Sequence, residues 1–236
     1  MSKRTAQVAG MKVRKAKRSR WSTPQPRTNR VHAQLALIRG PNAAEVKTAF
    51  VKITASNITA VGTVVDLFGG MAPGTGLRNQ FLGRKFLPIG VDMRYGIRQV
   101  AGNFTTNTRF NPIIRVSMIQ FGDSSVIGTG ISITGIYEDQ TTVYSGFELV
   151  NWENIDVLHD ALHSPTTTAS VTATQQTGES VTVHKYIKGK KLTPVMYNDV
   201  SNAWQKGDIL FCYYADSGST PNCVLDAWIR VFFTDA

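Results

Sequence analysis

His159-Asp160-Ala161-Leu162-His163 sets two imidazoles four residues apart with an acid between them, the residue types of a zinc-hydrolase motif. That chemistry needs a helix, so that residues i and i+4 share a face toward the metal, and a glutamate long enough to act as base through metal-bound water. Here the acid is Asp160, and Ile155, Val157, His159, Ala161 and His163 alternate with Asp156, Leu158, Asp160 and Leu162, the period of a strand. Asp216-Ser217-Gly218 has the residues of an aspartic-protease loop. It stands between two strand-like runs, where Asp-Ser-Gly is turn chemistry, and the protease needs two carboxylates sharing a proton. Gly69 to Gly76 (GGMAPGTG) lacks the Gly-Lys-Ser/Thr ending of a phosphate-binding loop, and no helical pattern follows it. No catalytic residues, metal ligands or cofactor are expected, and the chain does not read as an enzyme.

The chemistry that remains is ionic. Lys3, Arg4, Lys12, Arg14, Lys15, Lys17, Arg18, Arg20, Arg27 and Arg30 fall within the first thirty residues, which hold no Asp or Glu. The chain has 26 basic and 16 acidic residues, so 26 − 10 = 16 basic side chains remain against 16 carboxylates, and the net charge of +10 belongs to this segment. Apart from Val8, Met11, Val13 and Trp21 the segment has little to bury, so residues 1–30 are expected to be a disordered arm. Spaced Lys and Arg of one sign seek a polyanion, and neutralising phosphates releases counterions, so nucleic acid is the first partner to consider. The compact run Lys12 to Arg20 (KVRKAKRSR) is also the kind of surface that nuclear import receptors bind. Lys185, Lys188, Lys190 and Lys191 (KYIKGKK), with Arg115 and Arg230, are further candidates for phosphate contacts, although the lysine cluster reads equally as a solvated strand end.

The elements that position these groups are strands. Ser22 to Asn29 carries two prolines and reads as a linker, and residues 31–236 are expected to form one domain whose order begins between Val31 and Glu45. Glu45 to Ala55, Val61 to Phe68, Phe86 to Arg98, Ile113 to Phe121, Ile155 to His163, Val181 to Lys188, Asp208 to Ala215 and Val224 to Phe233 carry the β signals. In the third, Leu87, Ile89, Val91, Met93, Tyr95 and Ile97 form the apolar face. In the last, Leu225, Ala227, Ile229, Val231 and Phe233 form one face and Asp226, Trp228, Arg230 and Phe232 the other, which is too aromatic for plain solvent. Ile113 to Phe121 is apolar throughout, as expected where both sheet faces are covered.

Eight or so strands without helical crossovers or repeats mean an antiparallel sandwich or barrel, and periodicity does not choose between immunoglobulin-like and jelly-roll versions. The last two strands are expected to flank the turn Asp216 to Asn222. Antiparallel pairing about Ser219 would set Cys212 opposite Asp226 and Cys223 opposite Ala215, so the two cysteines are expected as reduced thiols. No apolar run approaches the roughly 18 residues needed to span a bilayer, and no signal-peptide core follows the basic start, so neither membrane insertion nor secretion is expected.

In this order the chain resembles the single jelly-roll capsid proteins of small circular single-stranded DNA viruses, geminivirus- and circovirus-like, with features shared by tombusvirus-type satellite virus coats. The matching elements are the basic arm; GRKFLPIGVDMRYGI through Arg84; IIRVSMIQFGD, similar to the family's Arg-containing strand ending in an acid; IDVLHDALHS; VHKYIKGKKLTPVMYN; and the closing GDILFCYYADSG and AWIRVFFTDA. The arm is less arginine-dense than in circovirus-like coats, and the geminivirus-type zinc-finger cysteines are absent. The resemblance implies an all-β, eight-stranded antiparallel jelly roll and an icosahedral T=1 shell of sixty copies of the chain. It further implies a genome, circular single-stranded DNA, packaged by the arm, and locations in the virion and, during assembly, the host nucleus. A non-viral β-sandwich nucleic-acid-binding module with a basic tail is the reading from a different class.

Overall fold

The computed structural model describes residues 45–74, 80–99, 108–110, 112–122, 136–139, 142–144, 155–165, 167–169, 177–178, 180–198, 203–216 and 223–235. Runs of β-branched and aromatic residues, punctuated by Gly, Pro and Asn, put most of them in strands. In chain order these are β1 (Lys47–Ile58), β2 (Thr63–Asp66), β3 (Ala72–Pro73), β4 (Gln80–Phe81), β5 (Lys85–Gln99), β6 (Thr108–Phe110), β7 (Ile114–Phe121) and β8 (Ile155–His163). There follow β9 (Thr167–Ala169), β10 (Thr177–Gly178), β11 (Val181–Lys188), β12 (Val195–Asn198), β13 (Ala203–Lys206), β14 (Ile209–Ala215) and β15 (Cys223–Asp235). The described residues include no α-helix; one 3₁₀ turn, Gly189–Lys191, follows β11.

The long strands form an antiparallel sandwich. The first sheet runs β1-β15-β5, with β11 on the far side of β5 and β12-β13 continuing from the Lys85 end of β5; the second runs β2-β14-β7-β8. β10-β9-β6 form a small third sheet, and β3 and β4 make a two-residue parallel pair. The pairing of the eight strands expected from sequence is nested: β1 with β15, β2 with β14, β5 with β11, and β7 with β8, all antiparallel.

The inner faces meet in one core. Val91, Met93, Tyr95, Ile97, Leu225, Ala227, Ile229, Val231 and Phe233 of the first sheet pack against Ile114, Val116, Met118, Phe211 and Tyr213 of the second, all 4% exposed or less. The facing expected for the last strand holds, with Trp228 and Arg230 exposed on the other side and Phe232 buried there at 7% exposure. β7 is buried at every position, as its unbroken apolar run implies. Its second face packs in a smaller cluster in which Ile119 and Phe121 join Ile136, Tyr137, Val143, Leu210 and Tyr214.

Three expectations are corrected. Leu87 is 40% exposed and Phe86 fully buried, because opposite Phe232 and Phe233 the register jumps from Gly90 to Pro88. Ile89 is the extra residue, beside a proline with no N–H for the ladder, and one extra residue turns every side chain before it over. A second bulge at Leu158 separates Ile155 and Val157 from the face shared by His159, Ala161 and His163. Finally, β14 and β15 do not pair. Cys212 lies opposite Ser117 and Val64, and Cys223 opposite Gln99 and Ile58, because the chain crosses from one sheet to the other between them. Both cysteines are buried and neither is in a disulfide, as expected of reduced thiols.

Candidate nucleic-acid interface

The outer face of the first sheet is built by strand alternation. Turning Ile229, Val231 and Met93 into the core turns Trp228, Arg230 and Arg94 outward, and the cross-strand register lines them up. One row reads Lys52, Trp228, Arg94, His184; the next reads Phe50, Arg230, Asp92, Tyr186. Trp228 and Phe50 are 52% and 48% exposed and meet edge to face at 5.4 Å. The Lys52 ammonium stands 5.3 Å from the Trp228 ring centre, and the Arg230 guanidinium 6.0 Å from that of Phe50.

Charge on this face is positive. Over residues 90–98 of β5 and their partners on β1, β15 and β11, Lys52, Arg94, Arg98, Lys188 and Arg230 oppose Asp92 and Asp226, a formal 5 − 2 = +3. Asp92 is held by His184 at 2.7 Å and by Arg94 at 3.4 Å. Asp226 accepts from Arg98 at 3.1 Å and from the Ala55 N–H at 2.7 Å. The Ala55 bond, followed by Arg98, keeps that carboxyl below its ordinary range. Ala55 donates it from the β1 bulge, where its φ is 47°. Lys52, Lys188 and Arg230 form no ion pair among the described residues and remain available to phosphates.

The candidates named from sequence separate. The ten basic residues of the arm lie outside the described residues. Arg230 and Lys188 lie on the outer face, with Lys190 and Lys191 exposed in the adjoining turn. Lys185 departs from this group because odd positions of β11 face the sandwich. Its ammonium reaches His159 Nδ1 at 3.0 Å.

Arg115 is withdrawn from the phosphate candidates. It is 6% exposed on the second sheet, its Nε and Nη2 donate to Asp160 Oδ1 and Oδ2 at 2.9 and 2.8 Å, and its guanidinium lies 4.5 Å from the Tyr137 ring centre. Ser117 adds a 2.6 Å bond to Asp160 and accepts one of 2.7 Å from Tyr137. Burial alone would raise the Asp160 carboxyl, but the Arg115 and Ser117 bonds hold it below its ordinary value.

The two histidines of the zinc-like motif converge on one hydroxyl. Tyr95 Oη lies 3.0 Å from His159 Nε2 and 2.7 Å from His163 Nε2. A lysine ammonium can only donate, so His159 Nδ1 accepts from Lys185, its Nε2–H donates to Tyr95, and the tyrosine hydrogen goes to His163. Three strands from both sheets are thus joined through neutral imidazoles. Burial, then Lys185, pushes His159 down to about 4, and burial lowers His163 as well. Among the described residues no three His, Cys, Asp or Glu side chains are grouped to hold a metal ion.

Asp66 and Asp208 form an acid pair that periodicity did not single out. Burial and the Asp66 carboxylate raise Asp208 well above its ordinary value. Asp208 is 6% exposed where β2 and β14 meet. Phe50, Lys52 and Arg94 were missing from the sequence candidates because each strand shows its own alternation but not which strands lie side by side.

Among known families and curated proteins, no family model and no curated sequence matches this chain.

Proposed function

We propose that the chain is a viral capsid protein, whose copies close into an icosahedral shell around a single-stranded genome, circular DNA on the strength of the resemblance, with the basic arm on the packaged nucleic acid. The division of charge carries the reading. All of the +10 lies in residues 1–30, while the rest is formally neutral and builds its own core. The nested pairing supports it, since first-with-last pairing through to fourth-with-fifth is the strand order of an eight-stranded jelly roll, an architecture used by viral capsids as well as lectins and cupins.

A fully extended 30-residue arm reaches on the order of 100 Å, far enough to leave a shell and enter its cavity. Sixty copies would bring roughly 600 positive charges to one enclosed polyanion, and the basic outer face of the first sheet would add to them. Before assembly, Lys12 to Arg20 would be read by an import receptor and carry the subunit into the nucleus. The exposed basic and aromatic face also supports the second reading, a β-sandwich nucleic-acid-binding module that stays small in solution.

Deleting residues 1–30 tests the arm. The truncated chain is expected to form shells whose 260/280 nm absorbance ratio is that of protein alone. Particles with the normal nucleic-acid content would contradict the packaging role.

A further inference from the structure

We infer that the outer face of the first sheet binds nucleic acid as single strands, by stacking unpaired bases on Trp228 and Phe50 while Lys52, Arg230 and Lys188 take the phosphates. The inference rests on the proposed packaging function and adds to it the form of nucleic acid that the face accepts.

Three observations carry it. First, two large aromatic rings stay half exposed side by side on the edge strand β1 and its neighbour β15. Second, each ring holds a cation at its face, Lys52 on Trp228 and Arg230 on Phe50, as solvent-exposed π-systems do. Base stacking on an aromatic ring is stronger than an exposed cation–π contact, so a base displaces the ammonium, and the displaced ammonium is left beside the phosphate that follows. Third, Lys52 and Arg230 share the two cross-strand rows that hold the rings, rows about 7 Å apart along the strands, and Lys188 stands one row further on, on β11.

Duplex nucleic acid cannot use this arrangement, because its bases are already stacked and only phosphates reach a flat face. A single strand uses both the rings and the cations. Stacking takes any base, so the face has no sequence preference, and DNA and RNA single strands bind alike.

The test titrates full-length protein, freed of nucleic acid, with labelled dT and rU oligonucleotides and with a DNA duplex of equal phosphate number. Wild type is expected to favour both single strands over the duplex. Trp228→Ala should cut single-strand affinity about tenfold or more, leave duplex affinity unchanged and keep the same salt slope, while Trp228→Phe should restore most of the loss and Trp228→Leu should not. Arg230→Gln should weaken all three ligands and flatten the salt dependence. Equal losses for single strand and duplex in Trp228→Ala, or rescue by Leu, would overturn the stacking. Unchanged oligonucleotide binding with failed particle formation would place Trp228 in a subunit contact and overturn the inference while leaving the capsid reading intact. If wild type bound neither form, the packaging function itself would fail.

Discussion

Arg115 and Asp160 form a bidentate pair between β7 and β8, Nε to Oδ1 at 2.9 Å and Nη2 to Oδ2 at 2.8 Å. The guanidinium fork matches the carboxylate, and Ser117 and Tyr137 complete the hydrogen bonding, so the pair fixes how these two strands meet. Removing the cation leaves a partly buried carboxylate without its partner. Arg115→Met is expected to cost about 3 kcal/mol in urea unfolding, at the low end for a buried pair, because the Asp160 side chain keeps 31% of its surface. Its effect on the salt dependence of nucleic-acid binding should be nil, and a flattened salt slope would return Arg115 to the phosphate contacts.

The link from Lys185 through His159 and Tyr95 to His163 predicts a loss of stability in acid. In the folded chain His159 titrates at about 4, below the ordinary 6.5, and His163 is lowered too. Below pH 6.5 the unfolded chain therefore binds protons that the folded chain refuses. The contribution is complete above pH 6.5 and is lost progressively as the pH falls toward 4. Between pH 7 and pH 5 the melting temperature of the wild type should fall further than that of a His159→Gln/His163→Gln double variant, and parallel curves would show that the imidazoles are not the source.

The two faces of β15 predict opposite outcomes one residue apart. Ile229→Asp places an unpaired carboxylate at a 1% exposed core position and should abolish soluble protein. Trp228→Ala, at 52% exposure, should keep the circular dichroism spectrum and change the melting temperature little. If the second variant unfolded as readily as the first, the facing of the strand would be wrong by one residue.

Much of this fold was legible in the sequence, because a strand that packs on one face writes its period into the residue types. β8 and β11 begin and end where their apolar patterns do, and the inward set of β15 is the set read from alternation. Illegible features depend on contacts distant in sequence. Leu87 misleads because a bulge beside Pro88 inverts the phase. The thiols of Cys212 and Cys223 were set across a hairpin that does not exist, since a short loop can cross between sheets as readily as it can turn within one. Arg115 looks like any other basic residue in a strand until Asp160 is brought beside it. The basic and aromatic face was half visible, in Trp228 and Arg230, and the other half required knowing that β1 lies next to β15.

The capsid reading stands most directly on the size of the particle that the full-length chain forms. Light scattering on purified protein at moderate salt should give a particle of megadalton mass, on the scale of sixty 25.9 kDa subunits. A species that stays at one or two subunits across protein concentration, with and without added single-stranded DNA, would contradict it and leave the small nucleic-acid-binding module in its place.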